Sequence, residues 1–311
     1  MPEDPGNLRP SMNFREHRKF QQFARELVRL PRPGEGPLDY LLPEAQWRRL
    51  CRRAADPQAW LMALSQATGV YFFPSREWLP LLVRYLKLLG IKRLLEAGAG
   101  RGYLTGALAP LAAAAGLDFR AVDRGDGEFM LSGLEAHHRV EPGDVFTVIG
   151  DFQPDAVVYA WPPPGQSLAA LCRMPALRYL IVPGEAGGGA TGAREDWERL
   201  PHKISPALSR YCRSRTWPTR HAVTIFYAGT GAYEVQIRRL TINMAERTPV
   251  IEEEECIACG VCEEICPEVF KMNESLGFAQ VINPFGGSEA QMQEAMEACP
   301  VNCIHWADEM E

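Results

Sequence analysis

Residues 14–90 carry apolar side chains at the three- and four-residue spacing of amphipathic helices. This pattern predicts helices at residues 14–30, 43–54, 58–68 and 76–89. The apolar faces of these helices suit packing against a larger domain. The apolar residues on these faces are Trp47, Leu50, Trp60, Leu61, Leu64, Trp78, Leu82 and Leu86. We therefore predict a helical N-terminal extension at residues 14–90. Residues 1–13 are polar and contain several prolines, so we expect them to be disordered.

From residue 91 the pattern changes to short apolar runs separated by helical segments and glycine-rich turns. Strands are predicted at residues 91–96, 119–122, 155–160 and 177–182, with a helix at 103–115. Two later runs, 224–227 and 234–240, flank a glycine-containing turn and predict a closing β-hairpin. Because strands alternate with helices, we predict an α/β open sheet with parallel members over residues 91–243.

The net charge of −6 is distributed unevenly along the 311 residues. Residues 244–311 have 15 acidic and 2 basic side chains, while the remaining residues have 24 acidic and 31 basic ones. This asymmetry predicts a separate acidic domain at 244–311, which either has its own partners or docks on the basic part of the chain. No apolar run reaches the roughly 18 residues of a membrane helix, and no signal peptide is evident, so we expect a cytoplasmic protein without membrane contact.

Six of the nine cysteines lie in the acidic domain with the spacing of metal ligands. Cys256, Cys259 and Cys262 are each separated by two residues, and Cys299 follows much later, before a proline. Three thiolates on such a tight loop, with a remote Cys-Pro, are typical of an iron–sulfur cluster. The alternatives are a zinc site, which usually pairs two Cys-x-x-Cys units, and ordinary buried thiols.

With these motifs, the acidic domain resembles the bacterial ferredoxins. The resemblance implies a small α+β domain in which Cys256, Cys259, Cys262 and Cys299 hold one [4Fe–4S] cluster. The second cysteine loop of two-cluster ferredoxins is absent, so Cys266 has no second cluster to bind. In single-cluster relatives a cysteine at that position often forms a disulfide, but its usual partner position is Gln291 here. A Cys266–Cys303 bridge and two free thiols remain the alternatives.

Such a domain transfers one electron at a time, at a potential somewhere between roughly −700 and +450 mV. Acidic residues crowd the cluster loop at 252–255, 263 and 264. Their field would steer a redox partner with a basic docking surface and would make association salt-sensitive. The alternative is a surface that only confers solubility.

A glycine loop, Gly98-Ala99-Gly100-Arg101-Gly102, directly follows the first strand of the α/β region. Its glycines let the backbone approach a ligand, and the helix N-terminus that follows favours a carboxylate. Together with Glu96 and with Asp123 at the end of the second strand, the loop resembles the first motif of class I S-adenosylmethionine-dependent methyltransferases. The resemblance implies that Asp123 binds the ribose hydroxyls and that Asp144 faces the adenine. A dinucleotide-binding Rossmann domain is the alternative.

The residues that would carry methyl transfer are less clearly marked. Trp161-Pro162-Pro163 stands where amino-methyltransferases have a polar residue that accepts a hydrogen bond from the target amine, which tryptophan cannot do. Glu185 ends a strand, where it acts either as a catalytic acid or as a loop cap. The four-cysteine spacing argues against a radical enzyme, which needs an open iron.

We therefore predict electron transfer through a ferredoxin domain attached to a methyltransferase-like, S-adenosylmethionine-binding domain. The alternative is a methyltransferase of unknown substrate with a redox-linked or structural cluster. A third hypothesis, without further support, is nucleic-acid binding by clustered basic side chains. The basic residues concerned are Arg48, Arg49, Arg52, Arg53, Arg210, Arg213, Arg215 and Arg220.

Overall fold

The computed structural model describes residues 14–125, 137–188, 190–228, 248–284 and 286–306. Helices occupy the predicted N-terminal positions, with ends that differ by a few residues. They are α1 (Phe14–Leu27), α2 (Glu44–Arg53), α3 (Pro57–Thr68) and α4 (Trp78–Leu88). Asp56 starts α3 by accepting the Ala59 N–H at 3.0 Å, and Gly69 ends it in the left-handed conformation. No helix in these ranges is long and apolar enough to cross a membrane.

A sheet of seven strands forms the centre of the α/β domain and confirms the predicted open sheet. Its strands are β2 (Arg93–Ala97), β3 (Asp118–Asp123), β4 (Val140–Pro142), β5 (Ala156–Tyr159), β6 (Tyr179–Glu185), β7 (His202–Ile204) and β9 (His221–Tyr227), arranged in the order β4-β3-β2-β5-β6-β9-β7. Of these strands, β4 and β7 were not predicted. The first five in this order are parallel, and β9 is antiparallel to both of its neighbours. The predicted partner of β9 at residues 234–240 lies outside the described residues.

The strand order places a binding edge between β2 and β5. The chain leaves β2 towards β3 on one side and later returns through β5 on the other side, so the connections diverge at this point. In open α/β sheets, ligands bind outside the carboxyl ends of the strands at such a divergence. The glycine loop follows β2, Asp123 ends β3 and Trp161 follows β5, so the three lie at the same edge.

Helices cover both faces of this sheet. They are α5 (Thr105–Ala114), α6 (Val145–Phe152), α7 (Leu168–Cys172), α8 (Arg194–Arg199) and α9 (Pro206–Arg210). On one face, the N-terminal helices and the sheet share a single hydrophobic cluster that runs from Phe20 to Ile225 and includes the buried indoles of Trp47, Trp60 and Trp78. On the other face, α6, α7 and α8 pack against the sheet in a second cluster. The helical segment is therefore part of the same core as the α/β sheet.

A short ladder that sequence reasoning missed ties the N-terminal helices to the end of the domain. Strand β1 (Phe72–Pro74) pairs antiparallel with β8 (Cys212–Ser214). Behind this ladder, both guanidinium nitrogens of Arg213 donate to the Glu44 carboxylate at 2.8 and 2.6 Å. The two side chains are only 3% and 10% exposed. This buried, bidentate ion pair therefore joins α2 to β8.

The acidic segment folds around a hydrophobic core of its own. Its elements are β10 (Pro249–Ile251), α10 (Val261–Ile265), β11 (Phe270–Asn273), β12 (Phe278–Val281), α11 (Glu289–Glu297) and β13 (Ile304–Trp306). Strand β10 pairs with β13, and β11 pairs with β12, both antiparallel. These short strands and helices confirm the predicted small α+β domain.

The basic face of α2 meets the acidic loop that precedes Cys256. A guanidinium nitrogen of Arg52 lies 2.6 Å from a carboxylate oxygen of Glu254, and both side chains are more than half exposed. Burial raises the pKa of the neighbouring Glu253 carboxyl, while the charges of Arg48 and Arg52 oppose this rise. The acidic unit thus contacts the basic one at this helix through an exposed ion pair.

Removing the charge of Glu44 should destabilise the protein strongly. In Glu44→Gln, Arg213 stays buried without its counter-charge, so we expect the free energy of unfolding to fall by about 3–5 kcal/mol. Urea denaturation followed by tryptophan fluorescence measures this change. Glu141→Gln is the matched control, since it removes the half-exposed pair with Arg120 and should cost only ~0–1 kcal/mol. Equal losses in the two variants would contradict the role assigned to the buried pair.

Candidate cluster site and cofactor pocket

The four cysteines predicted as cluster ligands line one cavity in the acidic domain. Cys256, Cys259 and Cys262 come from the loop between β10 and α10, and Cys299 follows α11. Two residues with positive φ, Ala258 (+59°) and Gly260 (+79°), curl this loop. The other lining residues are mostly apolar and include Ile251, Met272, Ala279, Val301 and Ile304. The loop and the Cys-Pro segment therefore bring the four predicted sulfur donors around a single apolar space, which a fifth cysteine, Cys303, also lines.

This donor set fits an iron–sulfur cluster. Burial raises the pKa of Cys262 to about 11, so a thiolate there needs a metal charge to stabilise it. A cubane gives each thiolate its own iron and so holds the sulfurs around a cavity instead of at one point. The backbone N–H of Ala279 lies 3.5 Å from the sulfur of Cys256 and supplies a hydrogen bond to it.

The cluster loop reaches the protein surface on one side. Cys259 is exposed, and Ile257 beside it is 59% exposed, while Cys262 and Cys299 are buried. A group held by these four residues would thus be enclosed on one side and close to solvent on the other. This asymmetry gives the site an edge at which another protein can approach.

A larger cavity of about 790 Å³ opens at the predicted edge of the α/β sheet. Five of the six residues predicted to bind a cofactor line it: Glu96, Gly98, Gly100, Asp123 and Asp144. The sixth, Gly102, does not line the cavity. Its φ is +87°, and a Cβ there would come within 2.5 Å of the Cβ of His137, so this glycine allows close packing behind the loop.

Asp123 fixes the conformation of the glycine loop. One carboxylate oxygen accepts the Gly100 N–H at 2.8 Å, and the other accepts the Gly125 N–H at 2.7 Å. A carboxylate has about four lone-pair sites, so both oxygens retain the capacity to accept ligand hydroxyls. Gly98 is required beside it for a steric reason: its φ is +60°, and a Cβ there would lie 2.5 Å from the ring of Tyr159.

Glu96 lies beneath the glycine loop and is only 2% exposed. Burial raises the pKa of the Glu96 carboxyl to about 8. The hydroxyl of Thr105 donates to this carboxyl at 2.8 Å and opposes the rise, whereas the negative charge of Asp123 adds to the rise. The carboxyl is therefore mostly protonated at pH 7. Asp144 has a different role in the fold, because its side chain caps α6 by accepting the Phe146 N–H at 2.9 Å.

Sequence reasoning missed part of the outer wall of this cavity. The indole of Trp161 and the ring of Tyr71 have centroids 6.1 Å apart, and the guanidinium of Arg215 lies 5.2 Å from the Tyr71 ring centre and 5.9 Å from that of Trp161. Tyr71 and Arg215 are far apart in the chain. They meet because each lies next to one strand of the β1–β8 ladder, where the Arg215 N–H donates to the Tyr71 carbonyl at 3.2 Å.

Glu185 and the basic segment after α9 have structural partners. The buried carboxylate of Glu185 accepts the Ala190 N–H and lies 2.7 Å from a guanidinium nitrogen of Arg220. This arrangement corresponds to the loop-capping alternative for Glu185. Arg213 is buried against Glu44, whereas Arg215 lines the cavity, so the basic side chains of this segment do not form one continuous surface.

Comparison with known proteins matches residues 251–306 to the family described as the 4Fe-4S single cluster domain of Ferredoxin I. Ferredoxin-1 of Desulfocurvibacter africanus is 46% identical over 59 residues, which are 19% of this chain and 91% of the relative. Ferredoxin-2 of Nitratidesulfovibrio vulgaris is 41% identical over 59 residues, which are again 19% of this chain and 91% of the relative. The chain belongs to this ferredoxin family through its C-terminal domain.

A solved structure from Staphylococcus aureus, described as a caffeoyl-CoA O-methyltransferase, covers 60% of this chain and 99% of its own at 12% identity and a TM-score of 0.32. The α/β domain itself has parallel strands, an antiparallel β9 between β6 and β7, and the glycine loop after β2. The predicted combination of an open, mostly parallel α/β sheet and a ferredoxin domain is thus confirmed.

The two remaining cysteines of the ferredoxin domain do not form the disulfide considered above. Both are free, and the sulfur of Cys303 lies 3.6 Å from that of Cys299, inside the cluster cavity. Cys266 is buried elsewhere, against Gly287, where a Cβ would come within 2.4 Å of its sulfur. The Cys266–Cys303 alternative is therefore wrong, because the turn after Cys299 directs Cys303 towards Cys299 and away from Cys266.

The buried carboxyl of Glu96 should make the stability of the α/β domain depend on pH. Its pKa is about 8 in the folded protein against an ordinary value of 4.5, so the folded state binds the proton more tightly. The resulting stabilisation is complete below about pH 4.5 and is lost as the pH rises towards 8. Burial also raises the pKa of Glu77 to about 7, so Glu77 contributes in the same direction.

Urea unfolding at pH 5 and pH 8.5 tests this expectation. The wild-type free energy of unfolding should fall between the two values, and Glu96→Gln should reduce that fall while keeping an acceptor for Thr105. Glu26→Gln, at an exposed position of α1, should leave it unchanged. An identical fall in Glu96→Gln and wild type would show that Glu96 is not the group responsible.

Proposed function

We propose that the protein transfers electrons through one [4Fe–4S] cluster bound by Cys256, Cys259, Cys262 and Cys299, and that its methyltransferase-like domain binds S-adenosylmethionine. The observation that carries the first part is the apolar cavity lined by all four sulfurs, with Cys259 at the surface. The Cys-x-x-Cys-x-x-Cys loop and the remote Cys-Pro supply the ligand set that such clusters use in ferredoxins. The nine free cysteines are consistent with the cytoplasmic location that we propose.

The bound cluster would supply a centre that gains and loses a single electron. The chain contributes the environment of that centre. Ile251, Met272 and Ile304 exclude water on the inner side, and the Ala279 N–H donates to a ligand sulfur. Hydrogen bonds to sulfur and restricted solvent access are among the factors that set the potential of such a centre. Because Cys259 is exposed, the partner would approach from that side.

The redox partner is proposed to have a basic docking surface. Of the acidic residues near the loop, Glu254 is paired with Arg52, and Glu263 is paired with Lys271 at 3.0 Å. Glu255, beside the first ligand, is exposed. The field at the electron exit is therefore negative, and the association rate with a basic partner should fall as ionic strength increases.

Methyl transfer is the second candidate function, and the size of the α/β cavity favours it. At about 790 Å³ the cavity lies within the range of roughly 300–1,000 Å³ for small-molecule sites. It extends from Asp144 and Asp123, past the glycine loop, to Trp161 and Tyr71. A cofactor at the glycine loop would therefore leave room for a second molecule at the outer wall.

The cluster assignment predicts about four irons per chain after anaerobic purification or reconstitution, and an electron paramagnetic resonance signal on reduction with dithionite. Serine at Cys256, Cys259, Cys262 or Cys299 should lower the iron content and change or abolish that signal. Cys266→Ser is the matched control, because Cys266 is a buried cysteine of the same domain outside the cavity. Zinc in place of iron, or full iron content in the ligand variants, would refute the assignment.

The cofactor assignment of the α/β domain predicts that S-adenosylhomocysteine binds in isothermal titration calorimetry. Asp123→Asn removes the charge that would hold the ribose hydroxyls, and hydrogen bonds to charged groups contribute about 1.5–3 kcal/mol. We therefore expect affinity to fall about 10- to 100-fold. Asp118→Asn is the matched control, since Asp118 is exposed at the other end of β3. Binding of NADH in place of S-adenosylhomocysteine would favour the dinucleotide alternative.

A further inference from the structure

Two aromatic rings and one guanidinium group line the outer end of the α/β cavity. None of these three groups has a role in the proposed binding of the cofactor. We define the aromatic wall as Tyr71, Trp161 and Arg215, all of which line the cavity. It lies beyond the glycine loop and Asp123, where the proposed S-adenosylmethionine would bind. A ligand at this wall would therefore occupy the same cavity as the cofactor without replacing it.

Trp161 is held rigidly in this wall. It adopts a positive φ of 58°, which is uncommon for a residue with a large side chain. Its backbone N–H donates to the Pro183 carbonyl at 3.0 Å, and its ring packs against Gly184, where an added Cβ would lie 3.1 Å from the ring. Trp161 is only 8% exposed, so its indole forms the fixed back of the wall behind Tyr71 and Arg215. A wall that is fixed before any ligand arrives lowers the entropic cost of binding a flat molecule.

Arg215 provides a positive charge beside these rings. Its backbone is anchored to Tyr71, and its guanidinium lies over both rings of the wall. Among the described residues, Arg215 forms no salt bridge, whereas neighbouring Arg213 and Arg220 are paired with Glu44 and Glu185. Ring contacts compensate a cation only weakly compared with a carboxylate, so the guanidinium keeps its capacity to bind an anion in the planar, bidentate manner typical of arginine.

We propose that the aromatic wall binds a planar aromatic carboxylate, with the carboxylate on the guanidinium of Arg215 and the ring against the partly exposed ring of Tyr71. Only the position of the ligand beside S-adenosylmethionine rests on the proposed function. The carboxylate site itself is defined by Tyr71, Trp161 and Arg215. The half-buried position of Arg215 favours a small acid that enters the cavity over a long nucleic-acid strand. The site thereby specifies the chemical class of the second molecule in the cavity.

Calorimetric titration of the full-length protein saturated with S-adenosylhomocysteine tests the proposal. The probes are 2-naphthoate, its uncharged counterpart 2-naphthamide, and guanosine 5′-monophosphate. We expect 2-naphthoate to bind at least tenfold more tightly than the amide. Arg215→Gln should remove this preference by weakening naphthoate binding at least tenfold, while leaving the affinity for the amide nearly unchanged.

Arg194→Gln is the control variant, because Arg194 is an exposed arginine on α8 and does not line the cavity. It should bind all probes like the wild type. A urea unfolding midpoint equal to that of the wild type would verify that Arg215→Gln is folded. Equal binding of acid and amide, or an unchanged naphthoate affinity in Arg215→Gln, would overturn the proposal. Tight binding of the nucleotide without the naphthoate would overturn it in favour of a nucleotide site.

The same titrations separate this inference from the proposed function. If S-adenosylhomocysteine binds and 2-naphthoate does not, only the aromatic-wall proposal fails. If naphthoate binds in an Arg215-dependent manner to protein that takes up no S-adenosylhomocysteine, the cofactor assignment fails and the wall remains a carboxylate site. If neither molecule binds, both proposals are refuted.

Discussion

The buried ion pair between Glu44 and Arg213 is the constraint on which the architecture of the α/β domain depends. Two charges removed from water must satisfy each other, so the position of α2 is coupled to that of β8. The N–H of Glu44 donates in turn to the buried carboxyl of Glu77. Because β8 pairs with β1, this attachment also brings Tyr71 next to Arg215 and so completes the outer wall of the cavity.

The same helix connects the two domains through a contact of a different kind. While Glu44 faces the core, Arg52 on the outer face of α2 pairs with Glu254 of the ferredoxin domain. That pair is exposed, so it is weak and screened by salt, whereas the inner pair is shielded from solvent. The position of α2 on its own domain is thus far more strongly determined than its contact with the ferredoxin domain. The acidic loop before Cys256 is consequently shared between an internal contact and the surface at which the proposed redox partner would bind.

The two candidate sites obtain their chemistry from opposite environments. The cluster cavity is small and apolar, and its donors are sulfurs with a nearby backbone N–H. The α/β cavity is large and is lined by backbone groups, carboxyls and arginines as well as rings. In the latter, the elevated pKa of Glu96 keeps a buried carboxyl mostly neutral beneath the loop, while Asp123 holds the loop through both of its oxygens. A soft, redox-active centre and a polar organic cofactor suit these respective environments.

The sequence by itself determined the features that depend on local spacing. The cysteine loop, the glycine loop and the alternation of strands and helices each lie within a short segment, so their geometry follows from neighbouring residues. Only the tertiary structure decided which basic residues are buried, which line the cavity and which face the ferredoxin domain. Tyr71 and Arg215 meet through a ladder between distant segments, and Cys303 turns towards Cys299 because the chain is folded around the cluster cavity. Contacts of this kind depend on strand register and burial, which residue patterns along the chain do not specify.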